Sequence, residues 1–192
     1  GRRIGRSVNG ARTHGWIYGD GLMPLAEYDG AGALRTVFIY AGGSTPAAFI
    51  RNGVTNHIIS DHLGSPRLVV DASGTVIKQV DYDAFGSVIA DNNPGLDLPL
   101  GFAGGLSDPD QELIRFGVRD YGPSTGRWTG KDPILFAGAS NLYAYAGNDP
   151  VNWSDRSGLA VNKFLDCSKR LGDDTNFKAD STGVSGCAPR RP

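Results

Sequence analysis

Ser60–Gly86, SDHLGSPRLVVDASGTVIKQVDYDAFG, alternates strand and turn. Its strands are RLVVDA at 67–72 and TVIKQVDYDAF at 75–85, made of β-branched and aromatic residues that suit a pleated, half-buried surface. Its turns are Ser73-Gly74, the end of an Asp-x-x-Gly, and Phe85-Gly86, and glycine there supplies dihedrals that other residues resist. Two hairpins in so short a run predict antiparallel sheet.

The same pattern runs back to the start of the chain. Turns are expected at Asn9-Gly10, Asp20-Gly21, Asp29-Gly30, Gly42-Gly43 and Asn52-Gly53, about ten residues apart. Between them lie WIY at 16–18, RTVFIYA at 35–41 and HIIS at 57–60, with no helical periodicity. Glycine is abundant, 28 of 192 residues with 11 prolines, which favours short strands over long helices. Imperfect repeats of about 20 to 25 residues, marked by Tyr28-Asp29 and Tyr82-Asp83, suggest hairpins that bury their faces on one another. An ordinary β-sandwich or barrel reads alike at this level.

A net charge of −1 with interspersed signs gives no electrostatic footprint for nucleic acid or an anionic membrane. No apolar run approaches the ~20 residues of a membrane span. Met23 is the sole methionine and Gly1 follows no start signal, so the chain is expected to be a piece of a longer polypeptide. Cys167 and Cys187 could pair or stay free. His14, His57 and His62 show no zinc spacing and read as structural or surface residues, and no phosphate-cradling loop is present, so neither metal nor cofactor is expected.

An ordered set of motifs resembles the rearrangement-hotspot (Rhs) or YD-repeat family over about 1–159. The set is D-H-L-G-S-x-R from Asp61, D-x-x-G from Asp71, Y-D-x-F-G from Tyr82, Phe102-Ala103-Gly104-Gly105, Asp108, and aromatic-Gly-x-Arg at 116–119. G-R-W at 126–128, Asp132-Pro133, N-L-Y-A-Y at 141–145 and N-D-P at 148–150 complete it. The resemblance implies an all-β fold of antiparallel YD-repeat hairpins, part of a spiralling β-shell with an inward-folded core plug and little helix. The expected domains are repeat hairpins at 1–86, a core at 87–159 and a variable extension at 160–192, partly disordered. It also implies a secreted or cell-surface bacterial location. The implied partners are upstream repeats of the parent chain, the C-terminal segment as cargo, and secretion machinery or an immunity protein.

Active members of that family cut their own chain after the leucine of D-P-x-G-L by an aspartic-protease-like route. Carried over residue by residue, this implies Arg119, Asp132 and Asp155 as catalytic residues and Leu159-Ala160 as the cleaved bond. The chemistry stands by itself: two carboxylates sharing a proton can activate water and protonate a leaving nitrogen, while a guanidinium holds a carboxylate and stabilises the oxyanion. Two departures stand out. R-D-Y-G-P at 119–123 replaces R-Y-Y-D-P, and Arg156 replaces the proline of D-P-x-G-L. Arg156 is expected to loosen the backbone before the cut and to place a cation beside Asp155.

Residues 160–192 are poor in large apolar side chains. Asn162 is expected to cap a short helix reaching Leu171. Two functions follow, a self-cleaving core of an Rhs-type polymorphic toxin, or a non-enzymatic YD-repeat scaffold for encapsulation, cell-surface adhesion or glycan contact.

Overall fold

The computed structural model describes residues 1–19, 21–134 and 141–159, with the backbone alone of 162–163. The remainder, including Ala160, Cys167, Cys187 and the helix expected beyond Lys163, lies outside the described residues.

Nine strands follow one another as a meander: β1 (Gly5–Val8), β2 (Ala11–Tyr18), β3 (Pro24–Asp29), β4 (Leu34–Ile39), β5 (Ala48–Arg51), β6 (Val54–Ser60), β7 (Pro66–Val70), β8 (Val76–Tyr82) and β9 (Val88–Asp91). Each is antiparallel to the next. The sheet thus continues through β9, past Gly86.

Two kinds of turn build it. Asn9-Gly10 and Asn52-Gly53 have positive φ at both residues, 50° and 80°, and 53° and 75°, the two-residue hairpin form. The other kind recurs at Asp29, Asp61, Asp71 and Asp83. Each aspartate accepts the amides two and four residues on through Oδ1, at 2.8–3.0 Å. Each aspartate carbonyl accepts the amide of the glycine three residues on, whose φ is 86–89°.

The pairings beside these turns, Tyr28↔Leu34, Ser60↔Pro66, Val70↔Val76 and Tyr82↔Val88, each follow a register shift. The repeat is therefore a bulged hairpin, and each bulge adds twist in the same sense. Asp29-Gly30 is not the dipeptide turn expected; the reversal runs from Asp29 to Gly32. Gly30 is needed for another reason, because a Cβ there would collide with the Arg12 carbonyl.

Strand alternation puts Trp16, Phe38, Phe49, Ile58, Val69 and Val80 on the buried face while Ile17, Ile39 and Ile59 face outward. The inner face packs against Leu100 and Leu106. Leu106 opens a second sheet of β10 (Leu106–Asp108), β11 (Leu113–Phe116), β12 (Arg119–Gly122) and β13 (Arg127–Trp128). Its core holds Phe102, Phe116, Tyr121, Trp128 and Tyr145, with neighbouring ring centroids 4.2–6.5 Å apart. Burying each such ring is worth about 3 kcal/mol. Leu63, from the Asp61 turn, belongs to this core and joins the two sheets.

A last pair, β14 (Trp153–Ser154) and β15 (Asn162–Lys163), is antiparallel. Asn162 and Lys163 are thus strand, not the start of a helix. Strand pairing with Trp153–Ser154 satisfies backbone groups that a short, isolated helix would struggle to hold in water.

Candidate functional site

Arg119 opens β12, Asp132 follows β13 and Asp155 follows β14, so three separate elements deliver the site. The chain from Asp155 to Leu159 lies across the tight turn between β11 and β12. Val118 N donates to the Ser157 carbonyl at 3.1 Å. Two glycines make this approach possible. Gly117, at φ 49°, would drive a Cβ into the Ser157 carbonyl; Gly158, at φ 69°, would bring one to 3.0 Å from Arg119 N.

Arg119, 6% exposed, engages all three nitrogens of its guanidinium here. Nη2 reaches Asp132 Oδ2 at 2.9 Å and Asp155 Oδ2 at 3.2 Å. Nε donates to the Gly158 carbonyl at 2.6 Å and Nη1 to the Leu142 carbonyl at 3.3 Å. The flat of the guanidinium lies 4.1 Å from the centre of the Trp128 ring. The sequence-expected charged residues are thus brought together, with both carboxylates against one nitrogen.

The two acids are held differently. Asp155, 2% exposed, accepts Ser157 Oγ at 2.9 Å and the Leu159 amide at 3.1 Å through Oδ1. That amide also donates to Ser157 Oγ at 3.1 Å. Asp132 is nearer the solvent, its side chain 12% exposed, and its Oδ1 accepts the Ile134 amide at 3.0 Å. Its own amide donates to the Leu142 carbonyl at 3.1 Å, which ties the Asp132 segment to the chain that also receives Arg119 Nη1.

Arg119 grips the carbonyl of Gly158, one residue before Leu159. Its bonds among the described residues hold the 155–159 segment and the two acids. Strands β14 and β15 pair as Trp153↔Lys163 and Ser154↔Asn162, so Leu159 lies between the two paired strands.

Arg156 does not place its charge beside Asp155. Its side chain turns away from Asp155 and donates to Ser44 Oγ, to Thr45 Oγ1 at 3.0 Å and to the Leu63 carbonyl at 2.9 Å. The other departure, Asp120, pairs with Arg115 at 2.9 Å and with Arg3 at 3.4 Å. The sequence reading missed Trp128 and Ser157 as members of the site. Trp128 was visible within G-R-W, but nothing in a linear motif says that its ring lies under Arg119.

The histidines lie elsewhere. His62 contacts the Val151 carbonyl at 2.8 Å. His14, Glu27 and Asp97 bring ligand-type atoms within 4.8 Å of one another. Two guanidiniums already stand among them: Arg35 reaches Glu27 at 3.6 Å and Asp97 at 2.9 Å, and Arg51 reaches Glu27 at 3.5 Å. This is a charge-compensated network that ties β3, β4 and β5 to the loop after β9, and it leaves little negative charge for a cation.

A family model described as Teneurin YD-shell matches residues 1–151. Teneurin-3 of Mus musculus is 34% identical over 166 residues, covering 79% of this chain and 6% of its own length. The double-stranded DNA deaminase toxin A of Burkholderia cenocepacia (strain H111) is 33% identical over 170 residues, covering 86% of this chain and 12% of its own length. Among solved structures, TcdB2-TccC3-TEV superposes with a TM-score of 0.64 at 21% identity, over 83% of this chain and 8% of that one. The chain thus spans only a small part of each of these proteins.

Proposed function

The chain belongs to the teneurin YD-shell family, and from that membership together with the Arg119 site we infer that it is a self-cleaving shell core that cuts between Leu159 and Ala160. The observation that carries this reading is the position of both Asp132 and Asp155 on Arg119 Nη2, with the segment that leads into Leu159 tied to Arg119 and to Asp155.

The bonds from Arg119, Ser157 and the Leu159 amide are ones that a carboxylate accepts. Asp155 serves as the acceptor that anchors the segment leading into Leu159. Asp132, nearer the solvent, takes a proton from water as the water oxygen attacks the Leu159 carbonyl carbon. It returns that proton to the Ala160 nitrogen as the C–N bond breaks, leaving a Leu159 carboxylic acid and an Ala160 amine, and the acid's remaining proton then passes to the amine to give carboxylate and ammonium. Catalyst and substrate are one chain, so folding has already met the entropy of bringing them together. The site turns over once.

In a longer parent chain, upstream repeats extend the sheet from β1 and the segment after Leu159 is the cargo. That parent is secreted or displayed at a cell surface. Among the described residues no helix is long and apolar enough to cross a membrane. The second reading is a scaffold in which the same ion pairs serve only the fold. It is favoured by Arg119's bonding, since a guanidinium with all three nitrogens engaged by the fold needs no reaction to explain it.

Intact mass of folded protein over time separates the two. A fragment ending at Leu159 is expected, and Asp132→Asn should stay full length with an unchanged fold. A wild-type chain that stays intact after long incubation overturns the cleavage reading.

A further inference from the structure

Arg156 occupies a slot that the rest of the chain has been shaped to receive. Its guanidinium crosses to two turns of the nine-stranded sheet: Ser44 and Thr45 between β4 and β5, and Leu63 in the Asp61 turn. Thr45 Oγ1, which accepts from Arg156, itself donates to the Gly64 carbonyl at 3.2 Å. A Cβ on Gly64, at φ 87°, would collide with Arg156 Nη2 and Thr45 Oγ1. One on Gly104, at φ 71°, would stand 3.2 Å from Arg156 Nη2 and 3.0 Å from Thr45 Oγ1. Two glycines on different segments thus leave room for one guanidinium.

The acceptors are neutral, and among the described residues Arg156 makes no ion pair with a carboxylate. Burial accordingly pushes its pKa down, an effect opposed in part by Tyr145, Tyr40 and Asp61. A cation placed here at a desolvation cost, with a built cradle, points to a positional role. Its backbone separates Asp155 from Ser157, the two residues whose side chains hold the Leu159 amide.

We infer that Arg156 is a positioning residue: its side chain anchors the 155–159 segment to the sheet, in place of the backbone restriction that a proline at this position would supply. The anchor ties the conformation of that segment to the β4–β5 and Asp61 turns. Its role in cleavage rests on the proposed function, whereas its hold on the segment does not.

Two variants divide the contributions. Arg156→Ala removes the three side-chain bonds and leaves the backbone free, while Arg156→Pro removes the same bonds and restricts it. In an uncut Asp132→Asn background, hydrogen exchange at Val118 and Leu159, whose amides bond to Ser157 O and Asp155 Oδ1, should speed up by about tenfold or more in Arg156→Ala. Arg156→Pro should restore most of that protection. In the active background the cleavage rate should follow the same order, slow in Arg156→Ala and largely rescued in Arg156→Pro, although both lose the same contacts. Unchanged exchange in Arg156→Ala, or equal loss in both variants, overturns the anchor. The expected exchange pattern in a wild-type chain that never cuts would sink the protease reading and leave the anchor standing.

Discussion

The guanidinium of Arg119 lies 4.1 Å from the centre of the Trp128 ring while its edge is taken by Asp132, Asp155, Gly158 and Leu142. Trp128 is in turn packed edge-on by Phe116, Tyr121 and Tyr145 at 5.3–5.9 Å. The aromatic core and the charged site are therefore one unit: the core presents the ring face, and the ring face leaves the cation only in-plane partners.

Trp128→Leu removes that face from under a buried cation. The loss combines the space a smaller side chain leaves in the core with the removal of a desolvated cation–π contact, about 3–5 kcal/mol in total. Urea denaturation in an Asp132→Asn background, where no cleavage complicates the transition, measures it. A loss below about 1 kcal/mol would show that the ring is a bystander.

Gly158→Ala tests the approach of the 155–159 segment to the β11–β12 turn. At φ 69° the added Cβ would lie 2.5 Å from the Phe116 carbonyl oxygen and 3.0 Å from Arg119 N, so backbone must move. A displacement near 1 Å costs on the order of a hundredfold in rate. A cleavage time course followed by mass spectrometry should show that fall, and wild-type kinetics would contradict it.

After cleavage, the link downstream of Leu159 among the described residues is the two-pair ladder of β14 and β15. Each backbone hydrogen bond is worth about 0.5–1.5 kcal/mol net, against an association cost of about 4–15 kcal/mol. In this chain alone the cut segment should separate from 1–159 during size-exclusion chromatography under native conditions at micromolar protein. Co-elution of the two would reveal a hold that the ladder does not supply.

The Asp71 turn gives a pH signature. At Asp71 the Ser73 hydroxyl, then the Thr75 amide, hold the carboxyl below its ordinary pKa. A carboxylate with a depressed folded-state pKa stabilises the fold above its unfolded value of about 3.9, and that stability is lost as pH falls through the folded value. Ser73→Ala should raise the Asp71 titration midpoint, followed by NMR, and flatten the acid limb of stability against pH. An unmoved midpoint would assign the shift to the backbone amides alone.

The chain by itself determined the antiparallel hairpins and several of their turns. Alternating β-branched and aromatic residues have one buried face, and Asn-Gly and Asp-x-x-Gly each close a hairpin through local bonds that no distant residue alters. It also named Arg119, Asp132 and Asp155, because their motifs stand in order. Local pattern did not show that Gly30 is a packing glycine beside Arg12, or that Asn162 and Lys163 pair as strand with Trp153 and Ser154.

Only tertiary structure decided what the charges do. Arg156 and Asp155 are neighbours in sequence, yet one guanidinium reaches Ser44, Thr45 and Leu63 while the other residue's carboxylate turns to Arg119. Which partner a long cation takes depends on where distant turns leave a pocket, and here Gly64 and Gly104 leave one on the sheet. Backbone hydrogen bonds are satisfied locally and can be read in order along the chain. Ion pairs and ring faces are satisfied across the fold, and only the packed structure shows which ones meet.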